Sequence, residues 1–272
     1  MPSQKYLQTY YAKQFSYRDG LQNETVIRKR GQIILKKIQQ LSSKAKSLCD
    51  VGSGYGFFLN EASIAGYNVI GIEPSLRLAR HTKDNYQISI FVGELKKYVA
   101  IKHKQFDVVT CIHVIEHVSN PSEFFLLLLR LVKPGGILYI ETPNSDSHLL
   151  YVEKDNYTFL IPPDHLWIFS KKAIQVLLPS YAYIFLEHTY SYSQHLMGII
   201  KTLSSRQHYQ QKNIFHAQGE KIQKNGMKSN MLRNVKKRVF YYLFDRTLAP
   251  LFTGLLNLHH KGSILELYIK KK

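Results

Sequence analysis

Residues 47–59 read Ser47-Leu48-Cys49-Asp50-Val51-Gly52-Ser53-Gly54-Tyr55-Gly56-Phe57-Phe58-Leu59. A short apolar run, three glycines at alternate positions and a helix-like stretch that continues through Asn60-Glu61-Ala62 spell strand, turn and helix. Glycines at that spacing let the backbone bend sharply and let a ligand lie directly against it, because no Cβ intervenes. The dinucleotide fingerprint is G-x-G-x-x-G. Here the pattern is G-x-G-x-G with an acid two residues before the first glycine, which points to a nucleoside cofactor of another kind.

The next apolar run, Asn68-Val69-Ile70-Gly71-Ile72-Glu73, reads as a buried parallel strand and ends in an acid 21 positions beyond Gly52. About 20 residues is the separation at which a carboxylate on the neighbouring strand end reaches a ribose diol. The plainer role for Glu73, capping the following segment with Pro74 at the first helical position, is compatible with it. A third strand, Ile88–Val92, leads to Gly93-Glu94-Leu95; a fourth, from Phe106, leads through Cys111-Ile112-His113-Val114 to Ile115-Glu116-His117-Val118. Leu126–Leu131 reads as a buried helix, Lys133-Pro134-Gly135-Gly136 as a turn, and Ile137-Leu138-Tyr139-Ile140-Glu141 as a fifth strand closed by Thr142-Pro143-Asn144.

Together, Asp-x-Gly-x-Gly-x-Gly, the strand-terminal acid, Phe-Asp-x-Val, Glu-His-Val, Lys-Pro-Gly-Gly and Thr-Pro-Asn resemble, in type and order, the class I S-adenosylmethionine-dependent methyltransferases of the type 11/23, ubiquinone-biosynthesis-like branch, over roughly Lys44 to Glu187. Glu73 stands where many members have Asp. The resemblance implies a doubly wound, Rossmann-like α/β sheet of seven strands with an antiparallel last strand, and S-adenosylmethionine as cofactor. It implies a cofactor set of Asp50 on the cation side, Gly52, Gly54 and Gly56 in the turn, Glu73 on the ribose and Glu94 at the adenine amino group, with Leu95 and His113 beside them. His117, just past the fourth strand, is the candidate general base, since an imidazole titrates near neutrality; anchoring its loop is the plain alternative. In Pro162-Pro163-Asp164-His165-Leu166-Trp167-Ile168-Phe169-Ser170, His165 and Trp167 are candidates for the acceptor side, against Trp167 packing on the sheet and a local Asp164–His165 pair. Ser170 is the expected N-cap of a helix from Lys171. Tyr11 and Tyr17, in the aromatic segment before a helix over Glu24–Leu41, are candidates for a lid.

At 272 residues the chain supports one main domain plus an elaboration. The expected division is a cap segment over 1–43, a cofactor-binding core over 44–195, a basic, partly helical insertion over 196–260 and a final core strand over 261–272. Tyr181–Glu187 and Ser263–Lys270 are the sixth and seventh strands, about 75 residues apart, far more than a hairpin loop. Ser204–Asn230 is polar and Gln-rich, whereas Met231–Leu258 has apolar residues at near-helical spacing interrupted at Pro250.

Of the net charge of +18, residues 201–272 carry +12, with fifteen Lys or Arg against three acids. A basic segment interleaved with aromatic residues suits an anionic membrane face, RNA or a phosphorylated substrate, and also suits a solvated surface. An Asn-Pro-Pro-Tyr-like tetrad does not follow the fourth strand, which disfavours amino-group methylation of bases. Cys49 and Cys111 fall within core strands and read as buried, reduced thiols, and no metal-ligand spacing stands out. No secretory or membrane-spanning segment is read, so the expectation is a cytoplasmic enzyme, peripheral to a membrane if the basic region binds one, with no stable protein partner. The acceptor is expected to be a small molecule, a sugar or a lipid-linked intermediate methylated on oxygen. RNA methylation through the basic region, or a non-catalytic nucleoside-binding protein, are the alternatives.

Overall fold

The computed structural model describes residues 21, 23–154, 157–191 and 259–272. Tyr11, Tyr17 and residues 196–258 of the expected insertion lie outside the described residues. The elements, in chain order, are α1 (Glu24–Leu41), β1 (Ser47–Val51), α2 (Phe57–Ile64), β2 (Asn68–Glu73), α3 (Leu76–Tyr86), β3 (Ile90–Val92), α4 (Leu95–Ile101), β4 (Phe106–Ile112), a single 3₁₀ turn (Ile115–His117), α5 (Pro121–Leu131), β5 (Val132–Pro143), α6 (His148–Glu153), α7 (Lys171–Leu177), β6 (Ala182–Tyr190) and β7 (Ile264–Lys271).

The strands form one seven-stranded sheet in the order β3-β2-β1-β4-β5-β7-β6. β1 pairs in parallel with both β2 and β4, β2 with β3, and β4 with β5. β7 runs antiparallel to β6, since the Lys272 amide donates to Tyr181 O at one end while that of Gly262 meets Thr189 Oγ1 at the other. The chain order reverses between β1 and β4, and their carboxyl ends flank the place where ligands settle in open α/β sheets.

Local chemistry accounts for these elements. α1 buries Gly31, Ile34, Leu35 and Ile38, a helical stripe, against a core that includes Leu48, Phe58, Leu59, Val108, Ile137 and Tyr139. Asn120 caps α5 by accepting from the Glu123 amide at 3.2 Å, with Pro121 in the first turn. Ser170 caps α7 as expected, accepting from Ala173 N at 3.1 Å. Pro74 is not the first helical residue: Ser75 is the cap of α3, so the proline stands one position before it. The Lys133–Gly136 turn lies inside β5 as an irregularity, with Phe106 opposite Val132 but Val108 opposite Ile137.

Asp107, of the Phe-Asp-x-Val motif, ties the amino ends of β1 and β4 together. One oxygen accepts from the Lys46 and Ser47 amides and from Ser47 Oγ, and the other from Lys133 Nζ at 2.8 Å. Burial alone would raise its carboxyl, but these donors outweigh it and hold the group well below the usual carboxylate range.

Two compact units are distinguished: Met1–Thr142 with Pro162–Glu187 and Glu266–Lys272, and Pro143–Ile161 with His188–Leu265. Asn144 organises the described part of the second. Its Nδ2 donates to Gly262 O at 2.8 Å, its backbone amide to Ser263 O at 2.9 Å, and its carbonyl accepts from Tyr157 OH at 3.1 Å. Among the described residues no helix is long and apolar enough to cross a membrane.

Candidate active site

Gly52, Gly54 and Gly56 all have left-handed backbones, with φ of 78°, 54° and 75°. Their surroundings differ. A Cβ at Gly52 would stand 2.3 Å from Val114 Cγ2 and one at Gly56 2.4 Å from Thr82 Cγ2, whereas one at Gly54 would meet nothing within 4 Å among the described residues. The outer two glycines let the turn pack against β4's exit and α3; the middle one leaves bare backbone facing open space.

Glu73 closes one side of this cradle, accepting from Gly54 N at 2.9 Å through Oε2 and from Ser75 N at 2.8 Å through Oε1. Burial raises its carboxyl above the ordinary value while these amides oppose the rise. Each oxygen keeps acceptor capacity beyond its one amide. Asp50, 3% exposed, accepts from Thr110 Oγ1 at 2.6 Å. Burial pushes its carboxyl up to about 7, with Thr110 opposing and Glu73's charge adding. Bare backbone between two acids whose ionisation a cation or a diol would favour suits a nucleoside that carries a positive charge. Glu94 is exposed at the N-cap of α4 and Leu95 is buried, directly after a strand whose Val92 is opposite Glu73.

The second half of the site lies past β4. The 3₁₀ turn Ile115–His117 and the following Val118 are stitched to the 164–167 loop by four hydrogen bonds. Glu116 O accepts from Leu166 N at 2.8 Å and Trp167 N at 3.2 Å, Val118 O from Trp167 Nε1 at 2.8 Å, and Asp164 O from His117 Nδ1 at 2.8 Å. A carbonyl only accepts, so Nδ1 carries hydrogen and neutral His117 has its lone pair on Nε2. The rings of His117 and His165 meet edge to face with centroids 4.8 Å apart. Asp164 turns to His117 through its side chain as well, with Oδ1 3.5 Å from Nδ1. Trp167 has a polar anchor as well as packing at 6.5 Å from Phe169.

His113 stands between the halves with a left-handed backbone, φ 53°. Its Nδ1 lies 3.2 Å from Glu116 Oε1 and its Nε2 3.3 Å from Glu141 Oε1. Behind it, Arg30 and Tyr139 OH reach Glu141 Oε2, and both also meet Glu266 Oε1. Sequence reasoning missed Arg30, Glu141, Thr142 and Asp164 as parts of this assembly. An acid and a threonine closing an otherwise apolar strand were the visible signal.

Donor atoms of Glu116, His117 and His165 lie within 4.8 Å of one another. Tetrahedral ligands bonded at about 2.1 Å stand roughly 3.4 Å apart, and Glu116 already directs Oε1 to His113 and Oε2 to Thr142 Oγ1 at 2.9 Å. Both Glu116 oxygens are thus already engaged by neighbours outside the trio.

A family model described as Methyltransferase domain matches residues 26–183, and the chain belongs to that family. It is an S-adenosylmethionine-dependent methyltransferase of class I, with S-adenosylmethionine as cofactor. Among curated relatives, a protein named ubiquinone biosynthesis O-methyltransferase from Rickettsia bellii is 31% identical over 180 residues, covering 63% of this chain and 72% of the relative. One of the same name from Dechloromonas aromatica is 34% identical over 136 residues, covering 46% of this chain and 57% of the relative. A methyltransferase structure from Archaeoglobus fulgidus superposes with a TM-score of 0.54 at 17% identity, covering 94% of this chain and all of that one. One from Thermotoga maritima gives 0.56 at 14% identity, over 98% of this chain and 100% of that one. At such identity these two establish the fold.

Proposed function

We propose that the protein methylates a hydroxyl of a small-molecule acceptor, with His117 as the general base. The observation that carries this is the Asp164 O contact, which sets the tautomer whose Nε2 accepts a proton in the loop cluster at the carboxyl ends of the strands. The name shared by the relatives, ubiquinone biosynthesis O-methyltransferase, supports oxygen as the accepting atom.

In this reading Glu73 accepts from the ribose diol, Asp50 faces the cation side, bare backbone at Gly54 admits the nucleoside, and Glu94 and Leu95 meet the adenine. When bound, the cofactor supplies a methyl group activated by a sulfonium for in-line displacement. The chain's own part is to orient the acceptor through His165 and Trp167, to exclude water, and to take the hydroxyl proton on His117 Nε2. Tyr11 and Tyr17 belong to the lid of this reading. The domain scheme stays part of it: a core over 44–195 completed by 261–272, with the 196–260 segment selecting or retaining the acceptor, a sugar or lipid-linked molecule among the options.

The test is transfer of label from methyl-tritiated S-adenosylmethionine into the small-molecule, lipid and RNA fractions of a cell extract by wild-type protein and His117→Ala. Label in small molecules or lipid as O-methyl groups, lost with His117→Ala, is expected. Label confined to RNA, or full transfer by His117→Ala, overturns the reading.

A further inference from the structure

We propose that His113 is a positioning residue for methyl transfer: an imidazolium set between the buried carboxylates of Glu116 and Glu141 that locks the Ile115–His117 turn and so fixes the ring of His117. The inference rests on the reading of His117 as the base.

The geometry requires two N–H groups on His113. Its ring nitrogens each face a carboxylate oxygen, at 3.2 and 3.3 Å, and a neutral imidazole has hydrogen on only one nitrogen, so the other would direct its lone pair at an anion. Neither carboxylate can readily take up a proton instead. Glu116 is fully buried and accepts from Thr142 Oγ1, while Glu141, 1% exposed, accepts from Arg30 and Tyr139 OH. Both are held below the ordinary glutamate value, with His113's hydrogen bonds overcoming burial. Burial would lower the His113 value; the bonds to Glu116 and Glu141 overturn that and raise it to about 10.

The backbone agrees. A left-handed conformation is unfavourable for a residue with a Cβ and persists where surrounding bonds over-determine it. Here the His113 amide donates to Glu141 O at 2.8 Å, adding to the two ring contacts. The consequence passes through Glu116, whose carbonyl receives the Leu166 and Trp167 amides and thereby holds the loop whose Asp164 O orients His117.

The experiment is nitrogen-15 NMR of histidine-labelled, full-length protein bound to S-adenosylhomocysteine, with signals assigned through His113→Gln and His117→Gln. At about pH 8.5, some two units above the usual imidazole value, both His113 nitrogens should still carry hydrogen, and His117 should be the single Nδ1–H tautomer. In His113→Gln, His117 should populate both tautomers. A neutral His113 at that pH, or an unchanged His117 tautomer in the folded variant, overturns the proposal. Where the variant does not fold, titrating wild type past about pH 10 serves: His117 should lose its single tautomer as His113 loses its proton, and an unchanged His117 spectrum overturns the proposal. The signals report geometry independently of turnover, so they separate failure of this inference from failure of His117 as base.

Discussion

The two halves of the site are built by opposite means. On the proposed cofactor side, Asp50, the three glycines and Glu73 come from one strand-turn-helix-strand unit, held by backbone geometry and two amides on Glu73. On the proposed acceptor side, residues far apart in the chain, Arg30, His113–Val118, Tyr139–Thr142, Asp164–Trp167 and Glu266, meet through side-chain bonds and buried charge. A ligand shared by a whole class can be met by backbone that leaves little to vary. An acceptor particular to one enzyme is met by side chains borrowed from several elements, because loops at strand ends vary without disturbing the sheet.

The contrast predicts that changes in the second half act on turnover and changes in the first on cofactor affinity. His117→Ala should lower kcat by roughly 10²–10⁴-fold and leave the Kd for S-adenosylhomocysteine nearly unchanged; equal losses in both would erase the distinction. Within the first half, Gly52→Ala must displace Val114 from 2.3 Å and should destabilise the protein by about 2–4 kcal/mol in urea melts. Gly54→Ala has room for its methyl in the free protein, so it should cost only about 1–2 kcal/mol of backbone strain, yet place that methyl where the cofactor approaches. Calorimetry should therefore show Gly54→Ala losing affinity out of proportion to its stability.

Trp167→Phe should remove the bond to Val118 O at a cost of about 1 kcal/mol in thermal melts, with cofactor affinity unchanged.

The smallest effect is one of pH. The folded Asp50 carboxyl is raised to about 7 from an ordinary 3.8. Its contribution to stability is therefore full below about pH 4 and is lost as pH rises through about 7, because the unfolded chain ionises first. A cationic ligand reverses the preference, so binding should release a proton and tighten as pH rises through about 7. Calorimetry in buffers of different ionisation enthalpy should detect that proton for wild type and lose it in Asp50→Asn.

The same contrast governs how much could be read in the sequence. The turn, the acid 21 residues on and the buried strands were legible because each is a short-range pattern in the chain. α1 lies at Glu24–Leu41 as read, and β6 and β7 fall within a few residues of their expected places. β3 is shorter than read, Ile90–Val92, since Ile88 is buried outside the paired segment. The acceptor side was legible as residue types but not as contacts. Nothing near Asp164 announces that its carbonyl receives His117, 47 residues earlier. Glu116 and His117, adjacent in sequence, have different partners, His113 and Asp164. Such pairings depend on where separate loops meet above the sheet, which no local pattern encodes.

If the glycine turn and Glu73 together hold the nucleoside, titration calorimetry of S-adenosylhomocysteine against wild type and Glu73→Ala, each verified as folded by its melt, will separate the two proteins. Binding to wild type with no response to NAD is expected, with a loss of roughly 1.5–3 kcal/mol in the variant as the ribose hydroxyls lose a charged acceptor. Equal affinity in the two proteins, or a preference for NAD, would contradict it.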